Sequence, residues 1–82
     1  MNYVYVIKSL ENKKFTYVGH TNDLRSRIGE HNSKKVKSTK KYAPFNLLYY
    51  EACNDLKDAV KREKSLKTGF GRAYLKRRLS DY

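Results

Sequence analysis

Eighty-two residues are enough for one domain with a three-strand sheet and a few helices, but not for a large core. Nineteen Lys and Arg against eight Asp and Glu leave a formal charge of +11, an excess that opposes compaction unless something negative binds, and nucleic acid is the commonest such partner. No apolar run approaches the ~20 residues that span a bilayer, and no isolated basic amphipathic helix with Trp or Phe anchors points to a membrane surface. The single Cys53 excludes an intrachain disulfide. The chain enters a strand pattern at once, without the regions of a signal peptide, so a reduced, cytoplasmic setting is expected.

Residues 2–9 alternate, with Tyr3, Tyr5 and Ile7 on one face and Val4 and Val6 on the other, which predicts a strand. Glu11 to Lys14 is a polar turn, and residues 15–20 form a second strand, so the pair reads as an antiparallel hairpin. Apolar groups on both faces imply a sheet covered at least partly on both sides. Thr21, Asn22 and Asp23 offer N-cap chemistry for a helix running to about His31 or Asn32, with Leu24 and Ile28 inward and Arg27 and His31 beside them, four apart. Residues 33–44 are a polar basic loop. Phe45 to Ala52 is a third strand, dense in aromatic and aliphatic residues. A helix over about Asp55 to Lys67 follows, stopped by Thr68-Gly69, and a last helix over roughly Arg72 to Leu79 turns Leu75 and Leu79 inward. No repeat, linker or second domain interrupts residues 1–82.

The helix after Asp55 carries a misplaced carboxylate. Leu56, Ala59, Val60 and Leu66 form its apolar stripe, and at 100° per residue Glu63 falls between the directions of Ala59 and Val60. An inward carboxylate needs a partner, either a cation of the protein or a metal ion. Metal sites built on several protein ligands fail on counts: there is no Cys cluster, and His20 and His31 share no zinc spacing with a third ligand. There is no phosphate-binding Gly-rich loop either. What remains is a set of strand tyrosines, an Arg/His pair on a helix, and one inward Glu.

That set, in that order, resembles the GIY-YIG nuclease superfamily, over nearly the whole chain. Tyr3-Val4-Tyr5 stands for the first tripeptide and Tyr17-Val18-Gly19 for the second, followed by Arg27, His31 and Glu63. The stretch from Tyr17 to Leu24, Glu30-His31-Asn32, Tyr49-Tyr50-Glu51 and Lys61 to Lys64 is similar to small stand-alone bacterial members, related to the nuclease subunit of structure-specific endonucleases. Two departures stand out: Tyr3 replaces the first glycine, and the final asparagine of homing-type members has no counterpart.

The resemblance implies a three-stranded, mainly antiparallel sheet flanked by helices, in an α+β domain over residues 1–82. It implies hydrolysis of DNA phosphodiesters with one divalent metal, Mg²⁺ or Mn²⁺, and no small-molecule cofactor. Glu63 maps onto the metal-binding glutamate; a lone carboxylate suits Mg²⁺, which keeps several waters and takes phosphate oxygens. Tyr17 maps onto the second-motif tyrosine, a candidate general base or water-positioner, with Tyr5 across the hairpin. Arg27 supplies positive field, and His31 binds phosphate, holds Tyr17, or relays its proton. No zinc-binding partner domain follows, so a protein partner for targeting is a candidate.

Each residue has a plainer alternative. Taken alone, Tyr5 and Tyr17 read as half-buried strand tyrosines with satisfied hydroxyls, with Tyr3, Tyr49 and Tyr50 as packing residues. Arg27 reads as a solvated helix residue, His31 as a helix C-terminal charge, and Glu63 as the partner of Arg27 in a structural bridge. Gly19 is expected to let the chain leave the sheet. Lys34, Lys35, Lys37, Lys40 and Lys41 form either a solvated segment or a phosphate-contacting flap, and Lys64, Lys67, Arg72 and Lys76 are candidates for the groove border. Against the DNA endonuclease stand two rivals, a catalytically weak nucleic-acid-binding module of the same fold and an RNA-associated basic protein. Binding alone does not require an inward Glu.

Overall fold

The computed structural model describes residues Met1–Tyr82. Strand β1 (Asn2–Ser9) lies at the centre of a three-strand sheet, between β2 (Thr16–Thr21) and β3 (Phe45–Cys53), and both pairings are antiparallel. Helix α1 (Leu24–Asn32) follows β2; α2 (Leu56–Leu66) and α3 (Gly69–Arg78) follow β3. The fold is the expected α+β architecture.

The alternation of β1 divides the interior into two cores. Val4, Val6 and Val18 meet Ala59 and Leu66 of α2 and Leu75 of α3 on one face. Tyr5 and Ile7 meet Ala43 and Phe45 on the other, joined by Phe15, Tyr17, Leu24 and Ile28. A β-bulge lies where Val6 pairs with Tyr49 and Ile7 with Leu47. It leaves Leu48 as the extra residue and turns Leu47 and Tyr49, two apart, towards opposite cores.

Asp23 caps α1 by accepting a 3.1 Å hydrogen bond from the Ser26 amide. The helix ends with Lys34 in the left-handed region at φ 63°. The Lys34 and Lys35 amides donate back to the carbonyls of His31 and Glu30 at 3.2 and 3.0 Å, a Schellman closure.

The segment after α1 is more anchored than a polar loop. It contains a 3-10 turn over Lys40–Tyr42, buries Thr39 completely, and stacks Tyr42 on Phe15 with ring centroids 3.8 Å apart. The Ser9 hydroxyl donates to the Tyr42 carbonyl at 2.6 Å, and the Phe45 amide donates to Asn32 Oδ1 at 2.6 Å.

Three expectations about the later helices are corrected. Leu56 belongs to no apolar stripe, being 55% exposed at the first turn of α2. Thr68 does not merely stop α2: its hydroxyl accepts from the Gly71 amide and caps α3, which starts at Gly69 rather than Arg72. Gly71 is buried because the two helices cross there. A Cβ on Gly71 would land on the Ser65 carbonyl and the Leu66 backbone.

Gly71→Ala is therefore expected to destabilise the protein by ~3 kcal/mol in urea unfolding. Gly29→Ala, on an open face of α1 with nothing within 4 Å of the added carbon, should instead stabilise it by ~0.5–1 kcal/mol. Equal effects of the two substitutions would contradict the α2–α3 crossing.

Candidate active site

Tyr5, the middle residue of the central strand, is fully buried and sits opposite Gly19 in the β1–β2 register. A Cβ on Gly19 would stand 2.6 Å from the Tyr5 hydroxyl oxygen and 3.0 Å from the Tyr17 ring. Glycine is required here for close approach, since its absent side chain makes room for both phenols. Tyr5 and Tyr17 lie on the same face, ring centroids 6.4 Å apart.

The Tyr5 hydroxyl and His31 Nε2 are 2.8 Å apart, and His31 Nδ1 lies 2.7 Å from the Thr39 hydroxyl. Proton directions follow from the Thr39 end of this line. Thr39 donates to the Val36 carbonyl over 3.5 Å, so it accepts from His31 Nδ1–H. A neutral imidazole that donates from Nδ1 has only an acceptor at Nε2. The Tyr5 proton is thereby directed to His31 Nε2. Burial and the neighbouring Arg27 charge push the His31 pKa below its ordinary value, which keeps the imidazole neutral and able to accept. Burial raises the Tyr5 pKa despite the opposing influence of Arg27. The Tyr17 ring lies 5.2 Å from the His31 ring, outside that hydrogen-bonded line.

Glu63 arrives from the other side of the sheet. Helix α2 packs on the valine face, yet β2 is an edge strand and the end of α2 reaches round it. The Glu63 side chain is 18% exposed; Lys67 Nζ donates to its Oε2 at 2.7 Å, and His20 Nδ1 contacts its Oε1. The same Lys67 ammonium lies 5.7 Å from the centre of the Tyr17 ring. Burial alone would raise the Glu63 pKa, but the hydrogen bonds and charges of Lys67 and His20 outweigh it and hold the carboxyl below the usual range. The Glu63 charge is near enough to influence Tyr5.

The structure thus brings together Tyr5, Tyr17, Arg27, His31 and Glu63, with two corrections to their pairing. Glu63 does not bridge to Arg27, which instead donates to Glu30 at 2.9 Å along α1. His31 bonds Tyr5 rather than Tyr17. Two members had no signal in the sequence: Thr39, one hydroxyl in a lysine-rich stretch, and His20, which only the β2–α2 juxtaposition places on Glu63. Lys67 enters the site directly. Lys34, Lys35, Lys37, Lys40, Lys41 and Lys64 are all exposed.

A second polar network lies beside Glu63. Arg62 Nε and Nη2 donate to the two oxygens of Glu51 at 2.8 and 2.9 Å, and the guanidinium lies 5.1 Å from the Tyr74 ring centre. Tyr49 is more than a packing residue: its hydroxyl donates to Glu51 at 2.6 Å and lies 3.1 Å from that of Tyr74. The Arg62 fork, the largest influence, holds the Glu51 pKa down.

No group of three His, Cys, Asp or Glu residues is placed to hold a metal ion. The donor chemistry at Glu63 is one hard carboxylate amid cations and a histidine. The carboxylate suits a hard cation that keeps its waters and takes further oxygens from phosphate, which would displace Lys67 and His20 from the two oxygens they occupy; the set does not fit a closed tetrahedral zinc site.

A catalytic domain described as GIY-YIG matches residues 1–78. Similar proteins include a UPF0213 protein of Staphylococcus haemolyticus, 37% identical over 68 residues that cover 82% of this chain and 80% of the relative. Others are a UPF0213 protein of Bacillus pumilus, 37% identical over 82% of this chain and 67% of the relative, and one of Syntrophus aciditrophicus, 37% identical over 80% and 76%. No solved structure matches. A match over nearly the whole chain makes this a nuclease domain, a hydrolase whose substrate is nucleic acid. The chain belongs to the GIY-YIG family, whose nucleases generally use divalent metals.

The neutral, buried His31 gives a pH signature. Its folded-state pKa lies below the ordinary 6.5, so protonation is harder in the folded protein than in the unfolded chain. Its contribution to stability is complete above about pH 6.5 and is lost as pH falls below that value. The depressed carboxyls of Glu51 and Glu63 contribute losses only in the more acid carboxylate range. Melting temperature should fall between pH 7 and pH 5, and His31→Gln should remove most of that fall. An undiminished slope in His31→Gln would place the titrating group elsewhere.

Proposed function

We propose that this protein is a divalent-metal-dependent DNA endonuclease in which Glu63 holds the metal and Tyr5, Tyr17, Arg27 and His31 serve the reacting phosphate. The observation that carries this reading is the chain of contacts from Thr39 through His31 and Tyr5 to Tyr17, Lys67 and Glu63, which joins side chains from both faces of the sheet. A structural role for Glu63 alone does not call for a tyrosine pair, a neutral histidine and an arginine on the same edge.

Glu63 would hold Mg²⁺ or Mn²⁺, which supplies Lewis-acid stabilisation of the phosphate oxygens. The protein's own groups divide the remaining work. Tyr17, the less buried phenol, orients the attacking water or takes its proton. Tyr5, raised in pKa, keeps its proton in a hydrogen bond to the neutral imidazole of His31 and so acts as a positioning group rather than a base. Arg27, whose charge acts on Tyr5, supplies positive charge where the phosphorane gains negative charge. The ammonium of Lys67 replaces part of the metal's charge at Glu63 before a metal binds. The exposed lysines of residues 34–41 contact phosphates, and Thr39 ties that segment to His31, so DNA contact and the His31–Tyr5 pair share one anchor. Preference for branched, flapped or otherwise unpaired DNA belongs to this reading, as does a protein partner for targeting and a cytoplasmic setting.

The test is Mg²⁺ and Mn²⁺ titration with branched, flapped, single-stranded and duplex DNA, using wild type and Glu63→Gln. The variant should fold, because part-exposed ion pairs such as those of Glu63 are worth ~0–1 kcal/mol. It should bind DNA as well as wild type or more tightly, and cleave nothing at any metal concentration. A folded variant that still cleaves would remove Glu63 from the metal. Wild type that binds all substrates and cuts none would leave the binding module.

A further inference from the structure

Tyr50, expected to be a packing residue, is 52% exposed. It stands opposite Tyr5 in the β1–β3 register, and Tyr5 stands opposite Gly19, so one row across the sheet reads Tyr50, Tyr5, Gly19. Neighbouring strands are about 4.8 Å apart, which puts Tyr50 one strand from the buried phenol of the site and on its face. Tyr3 braces it edge-on, with ring centroids 5.9 Å apart and planes at 69°. The two tyrosines form one wall of a cleft of about 300 Å³ completed by Asn22, Asp23, Leu24 and Arg25. Asn22 and Asp23 also line an adjoining cleft of about 430 Å³ that holds Arg27 and His20. The two clefts meet at Asn22 and Asp23, at the start of α1, and so link Tyr50 to Arg27 and His20.

A half-exposed ring braced by a second ring offers a π-face. Asn22 offers an amide that both donates and accepts, and Arg25 a charge for phosphate. These are the parts of a site for a nucleobase whose own face is free, which paired bases inside a duplex do not present. We infer that Tyr50, braced by Tyr3 and flanked by Asn22 and Arg25, is a stacking platform for an unpaired nucleotide next to the scissile phosphate. Nucleic acid with single-stranded character at the cut is then the substrate class. This deepens the nuclease reading and rests on it. The charge of +11 supplies affinity for phosphate in any nucleic acid; Tyr50 supplies discrimination between unpaired and paired strands.

The experiment measures binding of a fluorescently labelled single-stranded DNA and of the blunt duplex of the same sequence, without divalent metal so that nothing is cut. Tyr50→Ala should weaken single-strand binding by about 5- to 150-fold, the loss of one base stack worth ~1–3 kcal/mol, and change duplex binding less than about twofold. Tyr50→Phe, which keeps the ring, should restore single-strand binding and shows that the loss is not one of folding. Unchanged single-strand binding by Tyr50→Ala, or equal losses on both DNAs, would overturn the proposal. Cleavage by wild type is scored separately with Mg²⁺. Tyr50-dependent binding without cleavage would remove the nuclease reading and leave the platform, whereas cleavage with Tyr50-independent binding would remove the platform alone.

Discussion

The candidate site depends on holding one carboxylate at the edge of a sheet in a chain whose formal charge is +11. Glu63 is mostly buried on α2, and it stays ionised because Lys67, one helical turn on, and His20, from β2, both engage it. Helix α2 reaches this place because Ala59 and Leu66 pack on the valine face of the sheet. The Arg62–Glu51 fork on the neighbouring residue fixes the rotation of the helix against β3. With β2 as the edge strand, Lys67 passes round the edge and meets the ring of Tyr17. A carboxylate on one side of the sheet and a phenol on the other thus become neighbours.

The opposite face contributes a second ordered element. Tyr5 is buried against Gly19, and its hydroxyl leads through His31 to Thr39. Each member constrains the next: a side chain at position 19 would displace the phenol, and a charged His31 could not accept its proton. Loss of the Thr39 hydroxyl would leave His31 Nδ1 without its partner and remove the side-chain tie between the lysine-bearing segment and the site. Buried polar groups cost stability unless fully hydrogen-bonded, and no buried side-chain nitrogen or oxygen in this protein lacks a partner. The Tyr5–His31–Thr39 line supplies the buried side-chain part of that satisfaction.

Much of this was legible in the sequence because it is written in periods. Alternation in residues 2–9 gave β1 and its two faces, the cap at Asp23 marked α1, and the position of Glu63 within an apolar stripe flagged the carboxylate. The misreadings have physical causes. Leu56 lies in the stripe by angle but at the first turn of α2, where the sheet does not cover it. Thr68-Gly69 is a stop signal for one helix and a cap for the next, and only the crossing at Gly71 distinguishes the two. Thr39, His20 and Tyr50 take their surroundings from contacts distant in sequence. Thr39 reaches back to α1, His20 meets α2 across 43 residues, and Tyr50 lines up with Tyr5 only through the strand register. No local pattern encodes such contacts.

The most direct test of the claim that Glu63 holds a divalent cation needs no substrate. Substoichiometric Mn²⁺, whose unpaired electrons broaden nearby resonances, is added to isotope-labelled protein and followed by NMR. Selective broadening is predicted at Glu63, Lys67 and His20, with Tyr17 next, and its disappearance in Glu63→Gln. Broadening centred on Asp23 and Glu30 instead, or unchanged in Glu63→Gln, would contradict the account.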